Sequence, residues 1–214
     1  AGSYIAFTDS DCIPDRNWLK NIFFHISNDK KIDIISGDIH YFFKDKKPNI
    51  YEIYDTVFGF GQEALFKKNA SVTANLIVKK ELFNRVGKFK TNKFSGSDTE
   101  WVRLAFANKA KFIFVPEIII KHPARYSYKQ LLIREKRHYG GIFVRFGFSK
   151  INYLLQFITS LYAFRPPVNA ILTILKKKNL SFKNKFLLFL ILGSLRVNSF
   201  KEHIKLMHGV KKTR

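Results

Sequence analysis

Acid is scarce in the second half of this 214-residue chain. Residues 118–214 carry 20 Lys and Arg but only two acids, Glu135 and Glu202, whereas residues 1–117 carry 18 Lys and Arg against 14 Asp and Glu. That excludes an ordinary mixed surface for the second half, which reads as an anion-facing surface, and implies that the two halves do different work. Cysteine is nearly missing. Cys12 is the only one, so there is no intrachain disulfide framework, and the chain fits a reducing, cytoplasmic compartment. Long apolar runs are missing too. The longest uncharged stretches are Ile151–Phe164, Pro166–Leu175 and Phe186–Leu195, all short of the ~20 residues that span a bilayer. No basic-then-apolar leader opens the chain. It lacks an initiator Met and begins almost inside a strand, so it is expected to be a fragment whose N-terminal part is absent. It contains no RNP, KH or zinc-finger pattern and no internal repeat.

Apolar bulk is present: 46% of residues are hydrophobic and 23 are Phe, ample for a core. Residues 3–8 read as a buried strand, and Asp15 begins a helix to about Ser27 with Trp18, Leu19, Ile22, Phe23 and Ile26 at helical spacing. Residues 32–43 read as a strand containing Gly37. Residues 49–67 suit a helix weakened by Gly59 and Gly61. A strand at 72–78, a helix at 80–86 closed by Gly87 and a helix at 97–108 follow. Two short strands, 111–115 and 118–122, flank Pro116. Strands and helices mixed in this way point to an α/β sandwich.

The run Tyr4-Ile5-Ala6-Phe7-Thr8-Asp9-Ser10-Asp11-Cys12 is the most informative stretch. An apolar strand ends in two carboxylates at i and i+2, which point the same way from an extended chain. Such a pair repels itself and is relieved by a cation. Two readings stay open on these residues alone. One is a solvated turn, for which Asp-Ser-Asp is suitable chemistry. The other is a seat for a hard divalent cation shared with a phosphorylated ligand. Three further features lie downstream. Ser95-Gly96-Ser97-Asp98-Thr99-Glu100-Trp101 puts an acid at a loop-to-helix junction, where Asp98 is also an acceptable helix cap. Val115-Pro116-Glu117 leads into a strand ending in His122. Ala74-Asn75-Leu76 precedes Lys79-Lys80 and then Phe83-Asn84-Arg85-Val86-Gly87-Lys88-Phe89.

In this order and spacing the four features resemble a family 2 glycosyltransferase of the GT-A fold, over about residues 1–125. The resemblance implies the C-terminal part of a GT-A α/β/α sandwich in 1–125. It implies Mg²⁺ or Mn²⁺ held by Asp9, Asp11 and His122, with Asp9, Asp11 and Asn75 on the donor side. Asp98 is the implied base, taking the acceptor proton during inverting attack on the anomeric carbon. The implied partners are a nucleotide-sugar donor and a saccharide or lipid-linked acceptor, in cell-surface polysaccharide or glycolipid synthesis. Where family members often have Glu-Asp, this chain has Ser97-Asp98, so only the Asp carries over. Members usually have further strands before the Asp-x-Asp strand, holding most contacts to the base. Without them this stretch alone is expected to be inactive. Arg134-Glu135-Lys136-Arg137-His138-Tyr139 lacks the Gln and Trp of the processive synthases, which implies a non-processive enzyme. Arg125, Arg134 and Arg137 are candidates to reach a diphosphate, since a guanidinium binds phosphate bidentately. Cys12 reads as packing.

From about Ser127 strands give way to helices expected near 127–146, 150–163, 167–177 and 181–206, broken at Gly140-Gly141, Pro166-Pro167 and Asn179. Residues 126–214 are therefore expected to form a basic amphipathic helical extension. Short apolar faces flanked by Lys and Arg suit an anionic membrane surface, peripheral and on the cytoplasmic face. The same pattern also fits helices packed on the core, or a re-entrant hairpin over 151–175. Two other functions compete: a nucleic-acid-binding protein, from the charge of +22, and a non-catalytic membrane scaffold. Against the first, the aromatics of the basic half sit among aliphatics, so no nucleic-acid partner is expected.

Overall fold

The structure is a computed structural model that describes residues 2–91, 95–143, 158, 161 and 166–207. In chain order the elements are β1 (Tyr4–Thr8), β2 (Ile13–Pro14), α1 (Trp18–Asn28), β3 (Ile34–Phe42), α2 (Ile50–Phe58), α3 (Gln62–Phe66), β4 (Asn75–Lys79), α4 (Lys80–Val86), α5 (Ser97–Ala107), β5 (Phe112–Pro123), α6 (Tyr128–Phe143), α7 (Val168–Lys176) and α8 (Phe182–Met207). The chain divides into two compact units. The first comprises Ala1–Lys44, Phe60–Thr91 and Gly96–Ala124, and the second Asp45–Gly59, Asn92–Ser95 and Arg125–Arg214. Asp45–Gly59, counted with the first domain on sequence, thus belongs to the second unit.

The first unit is built on a five-stranded sheet of order β1-β4-β3-β5-β2, parallel between β3 and β5 and antiparallel elsewhere. Side chains alternate across a strand, so the apolar runs of the inner strands supply two cores. On one face Trp18 and Ile22 of α1 pack on Ile35, Ile39, Ile77 and Ile120. On the other, Leu82 of α4 and Trp101, Val102 and Ala105 of α5 pack on Ile34, Leu76, Val78 and Phe112, joined by Phe66 of α3. This is a mixed α/β sandwich with helices on both faces.

Three local expectations need correction. The strand over residues 3–8 is an edge strand, half-exposed rather than buried. The helix over 49–67 is two helices, ended at Gly59 and restarted after Gly61. The two strands around Pro116 are one strand, β5, with an offset inside it. Its register with β3 jumps from Gly37↔Val115 to Asp38↔Ile119, leaving Pro116, Glu117 and Ile118 outside the ladder. A proline without an N–H fits such a bulge. Gly87 closes α4 at φ 94° and Gly96 precedes α5 at φ 77°, backbone regions that favour glycine.

The second unit is helical. Tyr54 of α2, Leu131 of α6, Ile174 of α7 and Leu188, Ile191 and Leu195 of α8 form its core. Helix α2 opens with a reciprocal cap: Asn49 Oδ1 accepts the Glu52 N–H at 3.0 Å, and Glu52 Oε2 accepts the Asn49 N–H at 2.8 Å. Asp55, fully buried on α2, accepts hydrogen bonds from the guanidinium groups of Arg125 at 3.1 Å and Arg134 at 2.6 Å. Helix α6 runs through Gly140-Gly141 without the expected break. The helix expected over 150–163 lies outside the described residues, apart from Ile158 and Leu161. Among the described residues no helix is long and apolar enough to cross a membrane.

Candidate active site

Strands β1 and β2 are the two edges of the sheet, with three strands between them. In a flat sheet, four strand spacings would separate those edges by about 19 Å. Residues 9–12 alone make the crossing, and five residue steps reach only about 17 Å when fully extended. They are not fully extended, because the Cys12 N–H donates to the Asp9 carbonyl oxygen at 3.1 Å and turns the segment. The sheet must therefore curl, and the turn Asp9–Cys12 is carried to β5. Ile13 pairs with Lys121 and Pro14 with Ile120. One step further along that register sets Cys12 beside His122.

The result is a cluster. One ligand atom each from Asp9, Asp11, Cys12 and His122 lie within 4.8 Å of one another. The structure thus brings together the three residues expected to hold a metal, and adds Cys12, which the sequence reading took for packing. His122 is buried, and its Nδ1 donates to the Pro123 carbonyl oxygen at 2.8 Å. A carbonyl only accepts, so Nδ1 carries a proton, and Nε2 is the ring nitrogen that can offer a lone pair to a cation. Phe60 and Tyr41 stand edge-on to the ring, with centroids 4.9 and 6.0 Å away. Burial, and then the Asp9 carboxylate, push the Cys12 thiol up to about 11. Two hard carboxylates beside an imidazole suit Mg²⁺ and, better, Mn²⁺.

Asn75, expected on the donor side, has its side chain engaged within the protein. It is buried at the start of β4, opposite Thr8 of β1. Its Nδ2 donates to the carbonyl oxygens of Asp38 and Ile118, each at 2.8 Å, and its Oδ1 accepts the Trp18 indole N–H at 3.0 Å. Both amide protons are used inside the protein, at the point where β3 and β5 shift register.

Asp98 stands in the first turn of α5, partly buried. Its Oδ2 accepts the Thr73 N–H at 3.1 Å and its Oδ1 the Thr99 N–H at 2.8 Å. Thr73 is held by a network that sequence reasoning missed. The buried Gln62 side chain accepts from Ser71 Oγ at 3.1 Å and the Val72 N–H at 3.2 Å, and donates to the Asn75 carbonyl oxygen at 3.2 Å. Ser71 Oγ in turn lies 2.9 Å from Ser36 Oγ. A glutamine among small polar residues carries no signal in sequence.

The arginines expected at a diphosphate belong to the second unit. Arg125 and Arg134 are engaged by Asp55, and Arg134 also by Glu135 at 2.9 Å. Arg125, expected on the donor side, is thus paired with Asp55 within the protein. Arg137 is exposed on α6.

The family model described as glycosyl transferase family group 2 matches residues 4–198. The chain belongs to this family. The match reaches well beyond the 1–125 over which the motifs were legible. Among curated members, glycosyltransferase AglE of Haloferax volcanii is 30% identical over 141 residues, 64% of this chain and 44% of that protein. The chain thus spans less than half the length of that relative. Among solved structures, the mannosyltransferase PcManGT from Pyrobaculum calidifontis, in complex with GDP-Man and Mn²⁺, superposes with a TM-score of 0.50 at 16% identity, covering 99% of this chain and 64% of that one. At that identity the likeness speaks to fold, and it agrees with the GT-A sandwich of the first unit.

Proposed function

We propose that this family 2 member is a metal-dependent, inverting glycosyltransferase that moves a sugar from a nucleotide-sugar donor to a saccharide or lipid-linked acceptor hydroxyl. The observation that carries the proposal is the convergence of Asp9, Asp11 and His122 in a chain of this family. The mannosyltransferase with GDP-Man and Mn²⁺ supports the donor class and the ion. Asp9, Asp11 and His122 would hold the cation, which would supply positive charge against the charge building on a departing diphosphate. Asp98 takes the proton of the acceptor hydroxyl as its oxygen attacks the anomeric carbon. The bond to the diphosphate breaks from the opposite side, and configuration inverts. Its contacts with the Thr73 and Thr99 N–H groups hold the carboxylate in place without occupying every lone pair.

The test is transfer by the full-length protein from GDP- and UDP-sugars with Mn²⁺ or Mg²⁺. Asp11→Ala and chelation should each abolish transfer. Asp98→Asn should leave donor binding intact while stopping transfer, and NMR of the product should show the inverted anomer. Transfer at the normal rate by Asp98→Asn removes the base assignment, and retention of configuration removes the mechanism.

We place the reaction at the cytoplasmic membrane surface, in glycolipid or cell-surface polysaccharide synthesis. Two exposed apolar stripes in the second unit support this: Val168, Leu172 and Leu175 on α7, and Phe182, Phe186 and Leu190 on α8. Each follows helical spacing. Lys176, Lys177, Lys178, Lys183 and Lys185 lie along them, and no acid occurs from residue 166 to residue 201. Apolar stripes among lysines complement an anionic lipid surface.

A further inference from the structure

We infer that Asn75 is a positioning residue, setting the separation between the Asp9–Cys12 turn and His122 without touching the cation or the donor. The inference rests on the metal reading above. Strands β3 and β4 are paired from Ile34↔Val78 to Ser36↔Leu76 and no further. The β1–β4 pairing ends at Thr8↔Asn75, one residue before Asp9. The β3–β5 ladder shifts between Gly37 and Asp38. At the level of Asn75, then, the backbone ladder no longer ties β4 to β3.

The Asn75 side chain supplies that tie. One primary amide donates two hydrogen bonds at 2.8 Å to carbonyl oxygens on two different strands, Asp38 on β3 and Ile118 on β5. Trp18 Nε1–H fixes which end of the amide faces the strands, since only its oxygen can accept that proton. Ile118 lies on β5 four residues before His122. The Asn75 backbone stands opposite the residue that leads into Asp9. The side chain therefore links the two segments whose approach makes the cluster, at the place where the curled sheet has lost its backbone connection.

A neutral amide is needed for this. An aspartate of the same shape has no proton to donate and would face two carbonyl oxygens with lone pairs. Partners outside a metal's ligand set that orient its ligands typically change affinity by about 10- to 100-fold when removed.

The experiment is an EPR titration of free Mn²⁺ with the full chain and three variants, beside circular dichroism and thermal unfolding. Asn75→Asp should weaken Mn²⁺ binding by about tenfold or more. Trp18→Phe removes the indole N–H together with part of the ring, and should weaken binding less, in the same direction. Leu82→Ala is the control: it opens a cavity in the core on the opposite face, should lower the melting temperature, and should keep the unsubstituted affinity. Unsubstituted affinity in folded Asn75→Asp overturns the inference. If Asn75→Asp does not fold, unsubstituted affinity in Trp18→Phe overturns it instead. An equal loss in Leu82→Ala also overturns it, because general loosening then explains the effect. If the unsubstituted chain binds no Mn²⁺, the metal reading itself falls, and that outcome is separate from the others.

Discussion

The amide of Asn75 fills the space that a side chain on Gly37 would need. A Cβ built on Gly37 overlaps both Asn75 Nδ2 and the Ile118 carbonyl oxygen. The glycine is required by this close approach, since no positive φ is involved at that position. Gly37→Ala should cost about 3 kcal/mol, as overpacking of a tight core does. Asn75→Ala should relieve only part of that, because the Ile118 oxygen remains. A double-mutant cycle by urea denaturation should give strong coupling between the two positions. Additive effects would mean that the two do not compete for this space.

Asp55 has no exposed surface, and two guanidinium groups converge on it. Removing one member of a buried ion network leaves an uncompensated charge and typically costs about 3–5 kcal/mol. Asp55→Asn should therefore destabilise the second unit by about that amount in a denaturant titration followed by far-UV circular dichroism. A loss below about 1 kcal/mol would place these charges in the regime of solvated surface pairs.

Gln62 is the hub of the loop that presents the Thr73 N–H to Asp98. Gln62→Ala leaves the Ser71 hydroxyl, the Val72 N–H and the Asn75 carbonyl oxygen short of a partner, at about 1–3 kcal/mol. If Asp98 is the base, the variant should lose kcat while donor KM stays near its original value, because the loop orients the proton acceptor and not the diphosphate. A change confined to donor KM would detach this loop from the base.

Lipid binding is separable from transfer. The protein should co-sediment with vesicles containing phosphatidylserine or phosphatidylglycerol and stay in solution with pure phosphatidylcholine. The Phe182→Ser/Phe186→Ser pair should lose most of that binding. Replacing Lys176, Lys177 and Lys178 with Gln should weaken it by about 1 kcal/mol per residue near the surface. Binding to RNA that survives the Phe substitutions, with none to vesicles, would favour a nucleic-acid partner.

Features that depend on local chemistry are legible in the sequence. The carboxylate pair after an apolar strand, the acid at the start of α5 and the histidine at the end of β5 all lie where their neighbours dictate. Features that depend on strands meeting are not legible. Nothing local to Ile13-Pro14 announces a two-residue strand that pulls Cys12 beside His122. Pro116 looked like a break between strands because a bulge and a gap have the same proline. The contacts of Asn75 were not legible, because an asparagine holding two distant carbonyls cannot be told, in one dimension, from an asparagine facing solvent. The pairing of Arg125 was not legible because its partner, Asp55, lies some seventy residues earlier, on α2.

The crossing turn has one more consequence, for folding. Cys12 and His122 are more than a hundred residues apart in the chain, so their meeting waits on the closure of a long loop. An unfolded chain holds no such arrangement of ligands. A cation bound at the cluster would therefore favour the folded chain alone, adding about 2.7 kcal/mol at a hundred times its Kd. The last contact to form would be the one that the ion locks.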